Sequence, residues 1–409
     1  MSLRGRLFGS KRRQFGEQAL AMVRAQQRVV WAEFDATEFV IGYETHDRQR
    51  GRISLETVFK RCQSVSDQEA RRLLFEFVDL PSPEERGQGQ GWAAVADRLR
   101  PLIRQAGNLD MRMEGARLAD HTLWRPILPC LMETAVIDGQ TKMHNTNPAQ
   151  LQEWGVDSDT VFDTARANMA ELGLDTIGRY DPRDRGGMLY IPDTSGDDYA
   201  GSLPLVDGWL AGIGTKAGAR PIVFVAQNAG VLVGAEFSEE HVLHLVRTAR
   251  ELFDDALREV SPVPYTLDDH GRLVPYRVPR THAAWREIRS AETVLAAHVY
   301  EQQYEHLRAD LDAELTDDRA AKLGAVRKKD GVETTWTPWT DTVPTLLPRA
   351  NNVSLTNPDT GATFFVPWQT LSTAIDLRPV EGFYPPRYRV EFHPDADTMA
   401  HLRAAEKID

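Results

Sequence analysis

The chain has 409 residues, with 60 acidic against 48 basic side chains and a net charge of −12. Its 42% hydrophobic and 26% charged residues are ordinary globular values, and the length implies two or three domains around separate cores. The acidic balance argues against an electrostatic nucleic-acid binder, which needs clustered positive charge to meet phosphates.

No window reaches the ~18 apolar residues of a membrane-spanning helix. Arg4, Arg6, Lys11, Arg12 and Arg13 make a basic start, but a signal peptide would follow them with an apolar core of at least ~7 residues. The amphipathic stretch 17–27 comes instead, so a cytoplasmic location is expected. Cys62 and Cys130 stand far apart with no metal spacing around them. They read as buried thiols of a reducing compartment.

The first hundred residues alternate helix and strand. Phe15, Ala19, Leu20, Met22 and Val23 make a helical stripe, and β-rich runs at 29–34 and 38–43 flank Asp35-Ala36-Thr37 as a hairpin. A third strand is expected at 52–55, then helices at 56–61, 67–77 and 91–105, separated by Pro- and Gly-rich loops. Residues 1–107 are thus expected to form an N-terminal α+β subdomain.

A second α+β subdomain is expected over 108–275. Residues 124–137 hold one or two strands, with Asp138-Gly139 as the turn. A helix over 159–172 takes Asp157 or Ser158 as its N-cap, repeats Val161, Phe162, Ala165 and Met169 on one side, and stops at Gly173. A strand at 188–191 and a short helix at 203–211, weakened by Pro204 and Gly208, come next. The runs 221–226 and 231–234 around Gln227-Asn228-Ala229-Gly230 predict a hairpin. Ser238 then caps an amphipathic helix whose face carries Val242, Leu245, Val246, Ala249 and Phe253.

Residues 275–279 read as a linker, so 1–275 is expected to fold without the remainder. The connecting segment 276–319 is dominated by one long helix over 282–315. Its Trp285, Ile288, Leu295, Val299, Leu307, Leu311 and Leu315 stay on one side and offer a stripe to another domain or to a second copy in a homodimer. Short runs between turns make 320–409 a β-rich C-terminal domain. The expected fold class is α+β: helix-backed mixed and antiparallel sheets in two N-terminal subdomains, a long helix, and a small mostly β C-terminal domain.

The order of a strand, Trp154-Gly155-Val156-Asp157, a helix ending in Asn168, the segment Gly196-Asp197-Asp198-Tyr199-Ala200-Gly201-Ser202, a strand hairpin and an amphipathic helix resembles the YtpQ-like family. That is a bacterial group whose molecular activity is not established. The likeness spans roughly residues 10–275, with the rest as an added C-terminal domain. Where family members carry a Pro-Asn-Arg or Pro-His-like turn in the second hairpin, this chain has Ala226-Gln227-Asn228-Ala229. The resemblance implies a fold and no particular activity.

Among the motifs, Asp193, Asp197 and Asp198 with Ser195, Tyr199 and Ser202 are the densest polar cluster. Carboxylates this close suit a hard cation, but the alternating ligand spacing and distal Glu of a calcium loop are missing. An acidic turn whose Asp side chains cap the next helix explains the cluster, and no metal or cofactor is expected. The glycines around Lys216 follow a helix and precede a strand, the reverse of a phosphate loop. His241 and His244 lack a third ligand, and no GxSxG or Cys-His signature occurs.

The last hundred residues are rich in aromatics. Most are assigned to a small β core, whereas Trp339 and Tyr384, beside prolines, are expected to stand exposed and contact a protein partner. The expected function is a non-catalytic intracellular protein-binding or regulatory protein. The alternative is a hydrolytic or metal-dependent enzyme using the loop from Asp193 to Ser202.

Overall fold

The computed structural model describes residues 3–36, 39–46, 50–63, 65–80, 87, 89–113, 115–139, 143–192, 199–228 and 230–405. It is an α+β protein built from helices and several antiparallel or mixed sheets. Its contacts divide it into one unit of residues 1–89 with 138–144 and a larger one of residues 90–137 with 145–409. The division thus falls at 89, not at 107. Apart from 138–144, residues 108–275 belong to the larger unit, as do the long helix and the C-terminal strands. Among the described residues no helix is long and apolar enough to cross a membrane.

In the smaller unit the helix Leu3–Arg24 packs on a three-stranded antiparallel meander, Val29–Asp35, Val40–Thr45 and Arg50–Ser54. Gly16 permits this close packing: a Cβ there would lie 2.0 Å from the Phe34 ring. Ala19, Val23, Phe39, Ile41 and Leu55 fill the core beneath the sheet. Gln26 then clamps the end of the helix Asp67–Val78, donating to Val78 O and accepting from Leu80 N, both at 2.8 Å.

In the larger unit, the strand Leu131–Asp138 lies between Leu99–Gln105 and Trp124–Leu128. One expectation is corrected here. The helix placed at 91–105 is only Trp92–Val95 with one further turn, and 99–105 is a strand. Pro101 explains this, because inside a helix its ring would clash and lose a hydrogen bond, whereas an edge strand tolerates it. The next two strands are joined by a turn at Pro129-Cys130, with Cys130 at φ 66°, and the second of them ends at Asp138, where a turn is expected, before Met143–Asn145 pairs with it.

The helix expected at 159–172 is two, Ser158–Ala167 and Ala170–Arg179. Asn168 separates them, its Nδ2 donating to Ala96 O at 2.7 Å and Leu99 O at 3.0 Å. Gly173 is not a stop but a contact point inside the second helix, where an added Cβ would sit 3.4 Å from Val206. The left-handed stop is Gly155, at φ 68°, closing the helix Pro148–Trp154. Asp157 caps the next helix through Thr160 N at 2.8 Å. The Trp-Gly-Val-Asp step is therefore a buried Trp, a helix stop and a helix start in four residues.

A five-stranded sheet runs in the order Leu189–Pro192, Gly230–Ala235, Pro221–Gln227, Tyr265–Leu267, Leu273–Pro275. The helix Glu239–Asp254, capped by Ser238, covers it with Val242, Leu245, Val246 and Ala249. Residues 275–279 are not a free linker. Pro275 ends a strand, and Tyr276 is fully buried with its N–H on Pro264 O at 2.9 Å. Ala284 and Ile288, which open the long helix Trp285–Asp312, complete the same core. Residues 1–275 therefore lack part of their own core. The helix buries Ile288, Leu295, Val299 and Leu307 of the expected stripe within this unit, whereas Leu315 beyond its end is exposed.

The C-terminal strands form two sheets. One orders Arg319–Ala320, Thr345–Pro348 and Arg387–Val390, and the other Gly324–Arg327, Glu333–Thr340, Asn352–Thr356 and Thr363–Pro367. Arg387, 0% exposed, donates to Gln303 Oε1 and Ala321 O at 2.7 Å. Gln303 in turn donates to Asp110 Oδ2 at 2.9 Å and Pro385 O at 3.0 Å. This buried chain ties the long helix to both sides of the unit.

Candidate functional site

Of the described residues singled out in the sequence as site candidates, only Tyr384 lines either of two hollows in the larger unit. Asp193, Asp197 and Asp198 lie outside the described residues. Tyr199 and Ser202 are 4% and 2% exposed, in the buried segment that leads into the turn Ala200–Leu205. Gly201 there packs so tightly that a Cβ would meet Asn228 O at 3.0 Å. Among the described residues no group of three His, Cys, Asp or Glu is placed to hold a metal ion.

The exposure expected of the two aromatics is corrected. Trp339 is 2% exposed, because strand alternation sends Thr335, Thr337 and Trp339 inward and leaves Trp336 on the outer face against Phe365. Tyr384 is half-buried. Its ring stacks on Trp124 at 5.9 Å and its hydroxyl donates to the carbonyls of Leu128 and Leu131.

What the larger unit does present is a cleft of two adjoining hollows beside the first turns of the long helix. The first, about 780 Å³, is lined by five cations, Arg277, Arg280, Arg289, Lys328 and Lys329, against three carboxylates, Glu292, Asp330 and Glu333. The carboxylates are engaged. Glu292 pairs with Arg289. Glu333 accepts from Arg327 and from Ser290 Oγ, each at 2.7 Å. Asp330 accepts Val332 N at 2.9 Å within its own loop. Arg277, Lys328 and Lys329 have no carboxylate partner among the described residues, and Arg280 lies over the Trp285 ring at 5.2 Å.

Local structure fixes these cations. The buried Tyr276 anchors the chain, so Arg277 emerges at the surface immediately after it. Lys328 and Lys329 ride on the hairpin loop between Gly324–Arg327 and Glu333–Thr340. That loop is closed by Lys328 N on Val332 O at 2.8 Å and turned by Gly331 at φ 83°. The bond from Ser290 to Glu333 holds the hairpin against the long helix.

The second hollow, about 680 Å³, shares Arg277, Arg289, Glu292 and Asn351 with the first. Leu128, Val263, Leu295, Ala296 and Pro386 give it an apolar wall, together with the rings of Tyr265, Tyr300 and Tyr384. Its buried thiol and phenols are held in their protonated forms and are poor nucleophiles. Burial pushes the Cys130 thiol up to about 12 and raises the Tyr265, Tyr300 and Tyr384 hydroxyls above the ordinary phenol range. Of the described candidate residues, Tyr384 reaches this cleft, whereas Tyr199, Ser202 and Trp339 do not line it. The arginines were missed because 275–279 reads as a linker. The available signal was a set of basic residues, Arg277, Arg280, Lys328 and Lys329, in an acidic chain.

No family model matches the sequence, and comparisons with curated proteins and with solved structures find no match.

Proposed function

We propose that this is a non-catalytic intracellular binding protein whose first hollow seats an acidic segment of a partner protein. The observation that carries the reading is the set Arg277, Arg280, Lys328 and Lys329, without carboxylate partners among the described residues, around one hollow of a chain with net charge −12. Such an island of positive charge attracts an anionic segment and orients its approach. The three lining carboxylates and the acidic remainder favour a short acidic peptide over a continuous phosphate backbone. The raised thiol and phenols of the adjoining hollow support binding rather than proton transfer or nucleophilic chemistry. The YtpQ-like likeness belongs to the same proposal and brings no activity with it.

Fluorescence anisotropy with a labelled oligoglutamate peptide tests the reading. Binding is expected to weaken as salt rises, and Lys328→Glu combined with Lys329→Glu, both on a loop, is expected to abolish it without moving the melting curve. Peptide binding indifferent to the double charge reversal, or no binding at low salt, overturns it. Tighter capture of a single-stranded oligonucleotide by the same hollow would replace the acidic partner with a nucleic acid.

A further inference from the structure

The second hollow differs from the first in what its walls still have to offer. The Tyr300 hydroxyl donates to Pro386 O at 3.1 Å and accepts Arg349 N at 3.2 Å. Tyr384 is engaged with the carbonyls of Leu128 and Leu131, and Tyr265 with Ser261 Oγ at 2.6 Å. Thr335 Oγ1 donates to Asn351 Oδ1 at 3.0 Å, and Glu292 is neutralised by Arg289. These groups therefore present rings and methyl groups inward. By contrast, the guanidinium groups of Arg277 and Arg349, on the exposed rim, have no carboxylate partner among the described residues.

A hollow with an apolar wall and unmatched cations at its rim selects a molecule with an apolar body and an anionic end. We propose that the 680 Å³ hollow binds a small amphipathic carboxylate, an alkyl or aryl monocarboxylate, with its body against Leu128, Val263, Leu295 and Ala296 and its carboxylate on Arg349 and Arg277. The volume falls in the range of small-molecule sites, ~300–1,000 Å³. An arginine fork suits a carboxylate because two parallel N–H donors meet its two oxygens. A neutral ligand of the same shape gains the wall contacts and loses the fork. A purely polar anion gains the fork and leaves the wall uncovered. The site shares Arg277 with the hollow of the acidic-segment reading but has its own apolar wall and its own rim residue, Arg349, so variants at Arg349 and Ala296 test it separately.

Titration calorimetry on the full chain with octanoate, phenylbutyrate, octanol and acetate tests the assignment. The first two are expected to bind saturably, and octanol and acetate to bind about tenfold to a hundredfold more weakly, the loss that goes with one charge-assisted contact or the apolar body. Arg349→Gln, whose side chain is exposed, is expected to weaken octanoate by a similar factor without changing the melt. Ala296→Phe, which fills the hollow from the long helix, is expected to abolish octanoate binding while the oligoglutamate response of Lys328 and Lys329 persists. Octanol binding as tightly as octanoate overturns the assignment. So does the absence of carboxylate binding in the unmodified chain, a result that needs no variant to fold.

Discussion

The hydroxyl of Tyr300 accepts the backbone N–H of Arg349 at 3.2 Å. Tyr300 sits on the long helix and Arg349 follows the strand Thr345–Pro348, so one hydrogen bond fixes where a rim cation stands relative to the helix that floors the hollow. Arg387 reinforces the arrangement from below, its guanidinium 5.2 Å from the Tyr300 ring and its Nη2 on Tyr300 O at 3.4 Å. The cleft is therefore held by the same buried polar groups that hold the unit together.

Trp339 and Trp336 are expected to behave oppositely on truncation. Trp339→Ala removes a 2% exposed ring from the C-terminal core and should cost about 3–5 kcal/mol in urea unfolding. Trp336→Ala loses one edge contact with Phe365 on the outer face and should cost about 1 kcal/mol. Equal costs would contradict the strand alternation that separates them.

Arg387→Ala should be among the most damaging single changes in the larger unit. Burial holds the guanidinium down to about 10, and it stays charged because Gln303, Ala321 and Leu346 supply acceptors. Removing it takes the guanidinium donors from Gln303 Oε1 and Ala321 O, while Leu346 O keeps the Ala321 N–H, at a cost of about 3–5 kcal/mol. A loss below about 1 kcal/mol, measured by denaturant unfolding, would show the network to be dispensable.

Glu333 supplies a pH signature. The Arg327 hydrogen bond, followed by that from Ser290, holds its carboxyl below the ordinary glutamate range. The folded state then binds fewer protons than the unfolded one. The contribution is full above the ordinary pKa of about 4 and is lost as pH falls through the lowered value. With Arg327 largely exposed it should amount to about 0.5 kcal/mol. Glu333→Gln should therefore be less stable than the parent at neutral pH and match it at the acid end of the window. A constant gap across that window would exclude this carboxylate as the source.

Cys130 should be chemically silent in the folded chain. With its thiol pushed up to about 12, only about one molecule in ten thousand carries the thiolate at pH 8. Mass spectrometry after iodoacetamide should find Cys130 unmodified in the native protein and fully modified in urea. Native labelling at the rate of a free thiol would mean that burial does not control it.

Much of the architecture was legible because its signals are local. The two apolar runs at 221–226 and 231–234, Ser238 before an apolar stripe, and the long helix all depend on neighbours a few residues away, and each is present over nearly the expected bounds. The errors fell where a distant partner outweighed local pattern. Residues 99–105 carry helix formers around one breaker, Pro101, and join a sheet through Leu131–Asp138, and 275–279 has a linker's composition but threads a core through Tyr276.

By itself, the sequence determined the α+β class, the principal helices and hairpins, and the aromatic richness of the last hundred residues, because periodicity and capping act over one or two turns of chain. Only tertiary structure decided which aromatic faces inward, since a shift of one residue along a strand exchanges Trp336 for Trp339. It alone brought Arg277, Lys328 and Arg349 to one cleft. Those cations are tens of residues apart and share no spacing rule. Their meeting depends on a buried tyrosine, a hairpin loop and a helix packed together by the surrounding core.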